Sequence, residues 1–304
     1  MAESSLIELE AGALEVALAP EVGGALARFA FRGHDLMRRA GRALVEDGDV
    51  HAAACFPLVP FSGRIADARF TFMDETFELE PNFGSEPHAI HGQGWQHPWE
   101  VRHASERWVE LGFRHRVAGT PLDYEARQSF RLQDDALEVE IRVRNTGEGA
   151  MPAGLGLHPY FVRSPGVALQ TRVSHMWLAD ERNIPRERVA LPEHLDFSSP
   201  RAIASLELDN GFDGFDGKAQ IVWPETGRRL TLQADPLFDR LVIYIPPDKD
   251  FFCVEPATHA NNGFNMLDGG ADGGDADGQP EVDPGVRILA PGEVLAGTIR
   301  FEAA

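Results

Sequence analysis

The sequence predicts an all-β protein, a large antiparallel β-sandwich. Apolar and polar residues alternate with a period of two in several segments, as they do in half-buried strands. The 30 glycines and 21 prolines imply frequent turns and argue against a protein built from long helices. No segment recurs at a fixed period, which disfavours a solenoid or a propeller.

Individual elements can be placed along the chain. Residues 39–51 suggest a short helix. Residues 70–79 carry phenylalanines on both sides of a short polar turn and predict a hairpin. Residues 137–143 alternate apolar residues with Glu and Arg, so we expect a strand with one exposed face. The run 241–245 is continuously apolar and predicts a strand buried on both faces, and residues 298–301 predict the final strand.

Length and charge restrict the class of protein further. A chain of 304 residues could form two domains of ordinary size, but large β-sandwiches exceed that size, and we expect one domain over residues 1–304. With 28 Lys and Arg against 48 Asp and Glu, the net charge is −20. Nucleic acids and anionic lipid surfaces attract basic proteins, so neither is an expected partner. The sequence leaves the oligomeric state open.

Targeting signals and cysteines bear on location. The first ten residues have neither the basic start nor the apolar run of an export signal, and no later stretch is long and apolar enough to span a membrane. The two cysteines, Cys55 and Cys253, are too few for a disulfide scaffold and lie in apolar surroundings. We expect both to be buried thiols and the protein to be cytoplasmic.

One segment differs in composition from the rest. Residues 268–284 contain six acidic residues, five glycines and no basic residue, without apolar periodicity. This composition predicts a solvated loop or insertion. The Gly-Asp repetition is similar to calcium-binding nonapeptide repeats, but the apolar positions of those repeats are missing.

Three histidines, His88, His91 and His97, lie close together in the sequence. Their spacing lacks the helical pair of histidines, four residues apart, that is typical of zinc proteases. The surrounding glycines and prolines indicate a loop instead. We therefore expect no metal site here.

Two segments place a titratable side chain next to apolar residues. His158 follows Gly-Leu-Gly-Leu and precedes Pro159, which restricts its backbone and is expected to end the strand there. Taken alone, such a histidine is as typical of a structural role as of catalysis. Glu255 follows Phe-Phe-Cys-Val, and a carboxyl group in these surroundings has a raised pKa that suits a general base. The alternative role for Glu255 is a buried ion pair with an arginine.

Three further polar residues stand in glycine-rich segments. Arg64 follows Gly63 in a turn before a predicted strand, and Asp209 lies in an Asp-Asn-Gly sequence that predicts a tight turn. His91 lies between glycines and an isoleucine, near Trp95. Arginine, aspartate and imidazole form hydrogen bonds with sugar hydroxyls, and an indole packs on the C–H groups of a sugar ring. Each signal is weak alone, because turns collect such residues.

Together these segments resemble the aldose 1-epimerase (galactose mutarotase) family. The matching segments occur in order over most of the chain: Pro60–Ile65, Ile90–Trp95, Gly156–Phe161, Leu208–Gly217, Phe252–Asn262 and Leu289–Glu293. The resemblance implies a galactose mutarotase-like supersandwich, which agrees with the strand pattern. It also implies an isomerase that needs no cofactor and whose partner is a small-molecule sugar. Two departures are Gly63, where the family often has asparagine, and the acidic segment 268–284.

The resemblance implies a role for each polar residue. His158 corresponds to the general acid and Glu255 to the general base, whereas Arg64, His91 and Asp209 correspond to residues that hold the ring oxygen and hydroxyls. In the expected reaction the base removes the C1 hydroxyl proton while the acid protonates the ring oxygen, and the opened sugar closes again as the other anomer. If the acid starts protonated and the base ionised, the rate has a bell-shaped pH profile.

The leading hypothesis is thus a mutarotase that acts on a free aldose such as galactose or glucose. The same chemistry on a hexose 6-phosphate would require further cationic residues at the rim of the cleft, for which Arg64, Arg38, Arg39 and Arg42 are candidates. A non-catalytic carbohydrate-binding or sensing protein could also use the same fold.

Overall fold

The computed structural model describes residues 6–267 and 282–304, so most of the acidic segment lies outside the described residues. The strands, in chain order, are β1 (Ile7–Ala11), β2 (Leu14–Ala19), β3 (Ala25–Phe31), β4 (His34–Asp35), β5 (Cys55–Leu58), β6 (Arg64–Ile65), β7 (Arg69–Phe72), β8 (Glu75–Glu78), β9 (Ala89–Ile90), β10 (Glu100–Ala104), β11 (Trp108–Arg116), β12 (Asp123–Leu132), β13 (Ala136–Asn145), β14 (Met151–Ala153), β15 (Gly156–Val162), β16 (Ala168–Thr171), β17 (His175–Ala179), β18 (Pro185–Ala190), β19 (Arg201–Ala202), β20 (Leu208–Asp213), β21 (Lys218–Trp223), β22 (Arg228–Ala234), β23 (Arg240–Ile245), β24 (Phe251–Ala257), β25 (Arg287–Leu289) and β26 (Val294–Ala303). Helical structure in the described residues is limited to the α-helix α1 (Arg42–Glu46) and short 3₁₀ turns at Val50–Ala52, Ala66–Ala68, Gly94–Gln96, Glu193–Leu195 and Gly263–Met266.

Two large antiparallel sheets contain most of these strands. The first has 11 strands in the order β1-β2-β3-β5-β15-β24-β23-β20-β17-β18, with β4 paired to β3. The second has nine strands in the order β10-β11-β12-β13-β26-β22-β21-β16-β19. Three two-stranded sheets, β14-β25, β6-β9 and β7-β8, complete the described pairings. The all-β antiparallel class predicted from the sequence is therefore confirmed.

The core lies between the two large sheets. Phe301 on β26 of the nine-stranded sheet packs against Phe29 on β3 and Phe161 on β15, with ring centroids 6.1 and 6.5 Å apart. On β13, Val139 and Ile141 are completely buried, and the charged residues that alternate with them face outward. This alternation is the period-two pattern seen in the sequence, because successive side chains of a strand point to opposite faces.

Most predicted elements are present. The hairpin at residues 70–79 consists of β7 and β8, and its two turn residues, Met73 and Asp74, have φ angles of 53° and 62°. The short helix expected in residues 39–51 is α1, which has five residues. The prediction for residues 241–245 is wrong in one respect: Val242 and Tyr244 on β23 are only partly buried. Their face of the strand lines a cleft instead of a second core.

Among the described residues, no helix is long and apolar enough to cross a membrane.

Candidate active site

The centre of the eleven-stranded sheet has two faces with different surroundings. Along β15, β24 and β23, alternate residues point into the core, where Phe161, Val254 and Ile243 are completely buried. The residues between them point to the opposite face. Loops enclose that face and form a cleft of about 620 Å³. All five site residues predicted from the sequence line this cleft: Arg64, His91, His158, Asp209 and Glu255.

His158 on β15 and Glu255 on β24 lie next to each other on the floor of the cleft. The register pairs Tyr160 with Cys253, so His158 comes opposite Glu255 two residues along each strand. The imidazole Nε2 lies 3.3 Å from a carboxyl oxygen of Glu255. Both side chains are almost completely buried. Strand pairing therefore joins two groups that are far apart in the sequence.

β15 does not end at Pro159, contrary to the prediction. On the side of β5, Pro159 stays in register with Cys55, and the strand continues to Val162. On the side of β24 the ladder is interrupted beside His158, where Pro159 and Pro256 lack a backbone N–H. His158 thus lies within the strand, at a local interruption of the ladder.

Burial shifts the pKa values of this pair in opposite directions. It raises the pKa of the Glu255 carboxyl well above its ordinary value of 4.5; the charge of Asp209 adds to the shift, and the charge of Arg64 opposes it. Burial lowers the pKa of His158 from 6.5 to about 3, and the charge of Arg38 acts in the same direction. The carboxyl therefore holds a shared proton more tightly than the imidazole does. The raised pKa of Glu255 agrees with the sequence analysis, but a protonated His158 as the resting state does not.

Asp209 lies on the same face of the sheet, two strands from Glu255. It is part of β20 and pairs with Tyr244, whereas the sequence predicted a tight turn. The Asp-Asn-Gly sequence stays extended because β20 pairs with β23 on one side and with β17 on the other. Tertiary pairing thus overrides the local turn preference. The walls of the cleft desolvate the Asp209 carboxyl and raise its pKa, while the charge of Arg64 opposes this.

Arg64 lies at the wall of the cleft, on β6. The predicted turn is present, and Gly63 in it has a φ of 67°, but Arg64 is the first residue of the strand and not part of the turn. The guanidinium forms two hydrogen bonds with the Glu86 carboxylate, at 2.9 and 3.1 Å. This fork geometry holds the plane of the guanidinium. The sequence analysis missed Glu86, because nothing in the sequence distinguishes it from other loop carboxylates.

His91 connects this wall to the floor of the cleft. Its Nδ1 accepts a hydrogen bond from the backbone N–H of Gly63 at 3.0 Å, so the proton of the neutral ring is on Nε2. The ring centroid lies 5.5 Å from that of His158. Burial, followed by the charges of His158 and Arg64, lowers the pKa of His91 well below 6.5. His91 is therefore a neutral hydrogen-bond donor in the cleft.

Asn261 fills the space beside Gly63. A Cβ atom added to Gly63 would lie 2.6 Å from Oδ1 of Asn261. That oxygen accepts a hydrogen bond from the backbone N–H of Arg64, and Nδ2 donates to the backbone carbonyl of Asn183 at 2.8 Å. A carboxamide therefore lies next to Arg64 although position 63 is glycine. Asn261 belongs to a segment that was recognised in the sequence, but only the fold shows its proximity to Gly63.

The indole of Trp95 is only 1% exposed. It stacks on Phe56, with centroids 5.5 Å apart, and its Nε1 donates to the backbone carbonyls of Ile90 and Gly92. Trp95 therefore mainly supports the loop that carries His91, and little of its surface is open to a sugar.

Arg38 lies on the same side of the cleft as Tyr160. Its guanidinium is 3.5 Å from the centre of the Tyr160 ring, which stacks on His158 at 4.5 Å. Nε of Arg38 donates to the backbone carbonyl of Ala53 at 2.7 Å. Lys249 also lines the cleft, and neither cation forms an ion pair within the described part of the chain. Arg39 lines a separate small pocket.

His88 and His97 do not join His91 in a metal site. Nδ1 of His88 accepts a hydrogen bond from the backbone N–H of Asp67, and the ring of His97 stacks on Phe113. Within residues 6–267 and 282–304, one group of three potential metal ligands is present, and it consists of His158, Cys253 and Glu255.

Comparison with known proteins identifies the family. The sequence model of the aldose 1-epimerase family matches residues 5–302. The uncharacterised Escherichia coli K12 protein YphB is 32% identical over 88% of this chain and 92% of its own length. The uncharacterised protein YihR from the same organism is 25% identical over 80% of this chain and 81% of its own.

Solved structures agree with this assignment. A crystal structure from Escherichia coli K12, provisionally described as an aldose 1-epimerase, has a TM-score of 0.86 at 30% identity, with 99% of both chains covered. A galactose mutarotase-like protein from Clostridium acetobutylicum has a TM-score of 0.82 at 21% identity, over 98% of this chain and 95% of the other, and shows the fold alone. The family match over nearly the whole sequence shows that this chain belongs to the aldose 1-epimerase family.

Proposed function

We propose that this protein interconverts the α and β anomers of a free aldose. One observation carries the proposal: an imidazole and a carboxyl group, 3.3 Å apart, lie side by side on the floor of a cleft of about 620 Å³. A cleft of this volume is in the range of small-molecule sites. The anomeric hydroxyl and the ring oxygen of an aldose are both bonded to C1, so adjacent proton-transfer groups can serve both oxygens.

In the proposed mechanism Glu255 removes the proton of the C1 hydroxyl while His158 protonates the ring oxygen. The C1–ring oxygen bond breaks, and C1 becomes the carbonyl carbon of the open-chain sugar. Rotation about the C1–C2 bond presents the other face of the carbonyl. On ring closure His158 takes back the proton of the former ring oxygen as that oxygen attacks C1, and Glu255 returns its proton to the carbonyl oxygen. No net proton is consumed, and each group contributes about 10²–10⁴-fold to the rate.

We assign Arg64, His91 and Asp209 to sugar binding. The neutral Nε2–H of His91 is a donor, the Asp209 carboxylate is an acceptor, and the guanidinium of Arg64 is held in place by Glu86. Together they offer hydrogen bonds of both polarities to the hydroxyls of one ring. We also propose a cytoplasmic location and a single domain. The two cysteines are free and buried, as is typical of proteins in a reducing compartment.

Polarimetry on freshly dissolved α-glucose and α-galactose tests the proposal. We expect His158→Ala and Glu255→Ala each to lower the catalysed rate about 10²–10⁴-fold, with the circular dichroism spectrum and cooperative unfolding retained. Glu140→Gln on β13, which removes a carboxylate from the outward face of the other sheet, serves as the control. If wild type shows no catalysis with a range of aldoses, or if the two alanine variants keep its rate, the proposal is wrong.

The pH profile provides a second test. Below about pH 3 both groups hold a proton, and above the raised pKa of Glu255 neither does. Between these limits the pair holds one proton, and the reactive arrangement, with Glu255 ionised and His158 protonated, is a constant minor fraction. The profile is therefore bell-shaped, with its acid limb near pH 3 and its alkaline limb well above pH 4.5. An acid limb at pH 6.5, the ordinary value for histidine, would contradict this order of protonation.

A hexose 6-phosphate is the second candidate substrate. Arg38 and Lys249 favour it, because both line the cleft and neither has a carboxylate partner in the described residues. A mutarotase for phosphorylated sugars should be inhibited by millimolar inorganic phosphate, whereas one for neutral aldoses should not. A non-catalytic sugar-binding protein would bind galactose or glucose equally well after Glu255→Gln and would leave the optical rotation to change at its spontaneous rate.

A further inference from the structure

Cys253 is a buried neighbour of His158 and Glu255, outside the residues that line the cleft, and has no part in the proposed reaction. It is two residues before Glu255 on β24 and therefore projects from the same face of the strand. Tyr160 and Tyr244 are its neighbours in register on the adjacent strands. The thiol is completely buried, and among the described residues it makes no hydrogen bond.

The thiol sulfur, an imidazole nitrogen of His158 and a carboxyl oxygen of Glu255 all lie within 4.8 Å of one another. A tetrahedral zinc ion has bonds of about 2.0 Å to nitrogen and oxygen and about 2.3 Å to sulfur, so its ligand atoms are roughly 3–4 Å apart. The His158–Glu255 distance of 3.3 Å already meets this requirement. A movement of the thiol by about 1 Å would complete a three-ligand set of the kind found in zinc sites that keep one open position.

The chemistry of the three ligands also selects the ion. A thiol, an imidazole and a carboxylate form a mixed sulfur, nitrogen and oxygen set, which suits Zn²⁺ and disfavours Mg²⁺ and Ca²⁺. Binding would release the thiol proton and the proton shared by His158 and Glu255 to solvent, and no electron transfer is involved. The fourth position of the ion would face the cleft, because His158 and Glu255 both line it.

We infer that His158, Cys253 and Glu255 form an inhibitory binding site for Zn²⁺ or a similar divalent cation. The ion would occupy both proton-transfer groups, so metal binding and mutarotation would exclude each other. The binding part of this inference is independent of the proposed function, and only the inhibition part rests on it.

Metal titration of the full-length, untagged protein tests the binding part. We expect one equivalent of Co²⁺ to produce the thiolate-to-metal charge-transfer band in the near ultraviolet, and Zn²⁺ to displace it. Cys253→Ser should abolish the band and weaken Zn²⁺ binding, measured by calorimetry, at least tenfold. Cys55→Ser is the matched control: Cys55 is the other buried free cysteine, lies outside this ligand group and should leave both signals unchanged.

A second group in the described part of the chain could also bind a metal ion, and the spectrum distinguishes it from the proposed site. His97 and His115 have ring centroids only 4.9 Å apart and could bind a metal ion, but a histidine pair produces no thiolate band. If Cys253→Ser does not fold, Cys253→Ala replaces it. Absence of the band in wild type, or equal Zn²⁺ affinity of wild type and the Cys253 variant, would overturn the inference.

The inhibition part is measured by polarimetry with increasing Zn²⁺, relative to the zinc-free rate of each variant. We expect competitive inhibition against the sugar, reversal by a chelator, and a half-inhibitory Zn²⁺ concentration at least tenfold higher for Cys253→Ser than for Cys55→Ser. A protein that binds Zn²⁺ at this site but catalyses no mutarotation would contradict the proposed function alone. An active mutarotase without the charge-transfer band would contradict the metal site alone.

Discussion

The two large sheets differ in what surrounds the side chains that face away from the core. On β13 of the nine-stranded sheet these side chains are charged and reach solvent. On the neighbouring strands β12 and β11, Arg127 and Glu110 form a partly exposed ion pair. On β15 and β24 of the eleven-stranded sheet, the corresponding positions hold His158 and Glu255, which loops enclose.

The difference shows that the covering loops, and not the strands, create the chemistry of the site. Charged residues on a solvated sheet face keep their hydration, so they carry little desolvation cost, and they interact only weakly with each other. The same residue types on a covered face lose hydration, and their pKa values move toward those of proton-transfer groups. Successive side chains point to opposite faces in both sheets, but on β15 and β24 both faces are covered, and the site lies on the face that the loops cover.

The largest expected effects concern the two faces of β23. Ile243→Ala empties a fully buried core position and should lower the free energy of unfolding by about 2–5 kcal/mol. Ile141→Ala on the nine-stranded sheet should cost a similar amount. Val242→Ala changes the cleft face and should cost less than about 1.5 kcal/mol, while it raises the KM for the sugar. Urea denaturation measures all three, and equal losses for Val242 and Ile243 would show that the cleft face is packed like the core.

A smaller effect should distinguish a histidine of the covering loops from an exposed one. Nε2 of His259 accepts a hydrogen bond from the backbone N–H of Ser62, and burial lowers its pKa from 6.5 to about 4. Between these pH values the unfolded chain takes up a proton that the folded chain does not, so stability falls as the pH decreases. A pKa shift of this size lowers the free energy of unfolding by about 3 kcal/mol at pH 4, relative to neutral pH.

We therefore expect His259→Gln to be less stable than wild type at pH 7. Between pH 7 and pH 4, however, its free energy of unfolding should decrease by about 3 kcal/mol less than that of wild type. His103→Gln, on the exposed strand β10, is the control and should follow wild type. Urea denaturation at a series of pH values measures the difference. Parallel stability curves for His259→Gln and wild type would refute the assignment.

The smallest expected effect concerns the amide beside Arg64. Asn261→Gly removes the hydrogen bond to the backbone of Arg64 and should lower kcat/KM by up to about tenfold, the cost of one hydrogen bond. Gly63→Asn alone should destabilise the fold, because the new side chain meets Asn261. The double variant moves the amide to position 63, where asparagine tolerates the positive φ. Recovery of kcat/KM in the double variant would support a positioning role, and additive losses would exclude it.

The accuracy of the sequence analysis varied with the range of the interactions involved. The strand at residues 137–143 and the hairpin at 70–79 were predicted correctly, because alternation and turn chemistry are local. Asp209 was placed in a turn and Pro159 at a strand end, and both placements were wrong. In each case neighbouring strands from distant parts of the chain hold the segment extended.

The sequence by itself determined the fold class and the polar residues that line the cleft, because strand periodicity and short motifs depend only on residues that are close together in the chain. Only the tertiary structure decided that His158 meets Glu255, that Asn261 lies beside Gly63 and that the thiol of Cys253 lies close to the His158–Glu255 pair. It also decided which group of the pair holds the proton. Register and desolvation depend on strands and loops that are far apart in the chain, and no local pattern records either of them.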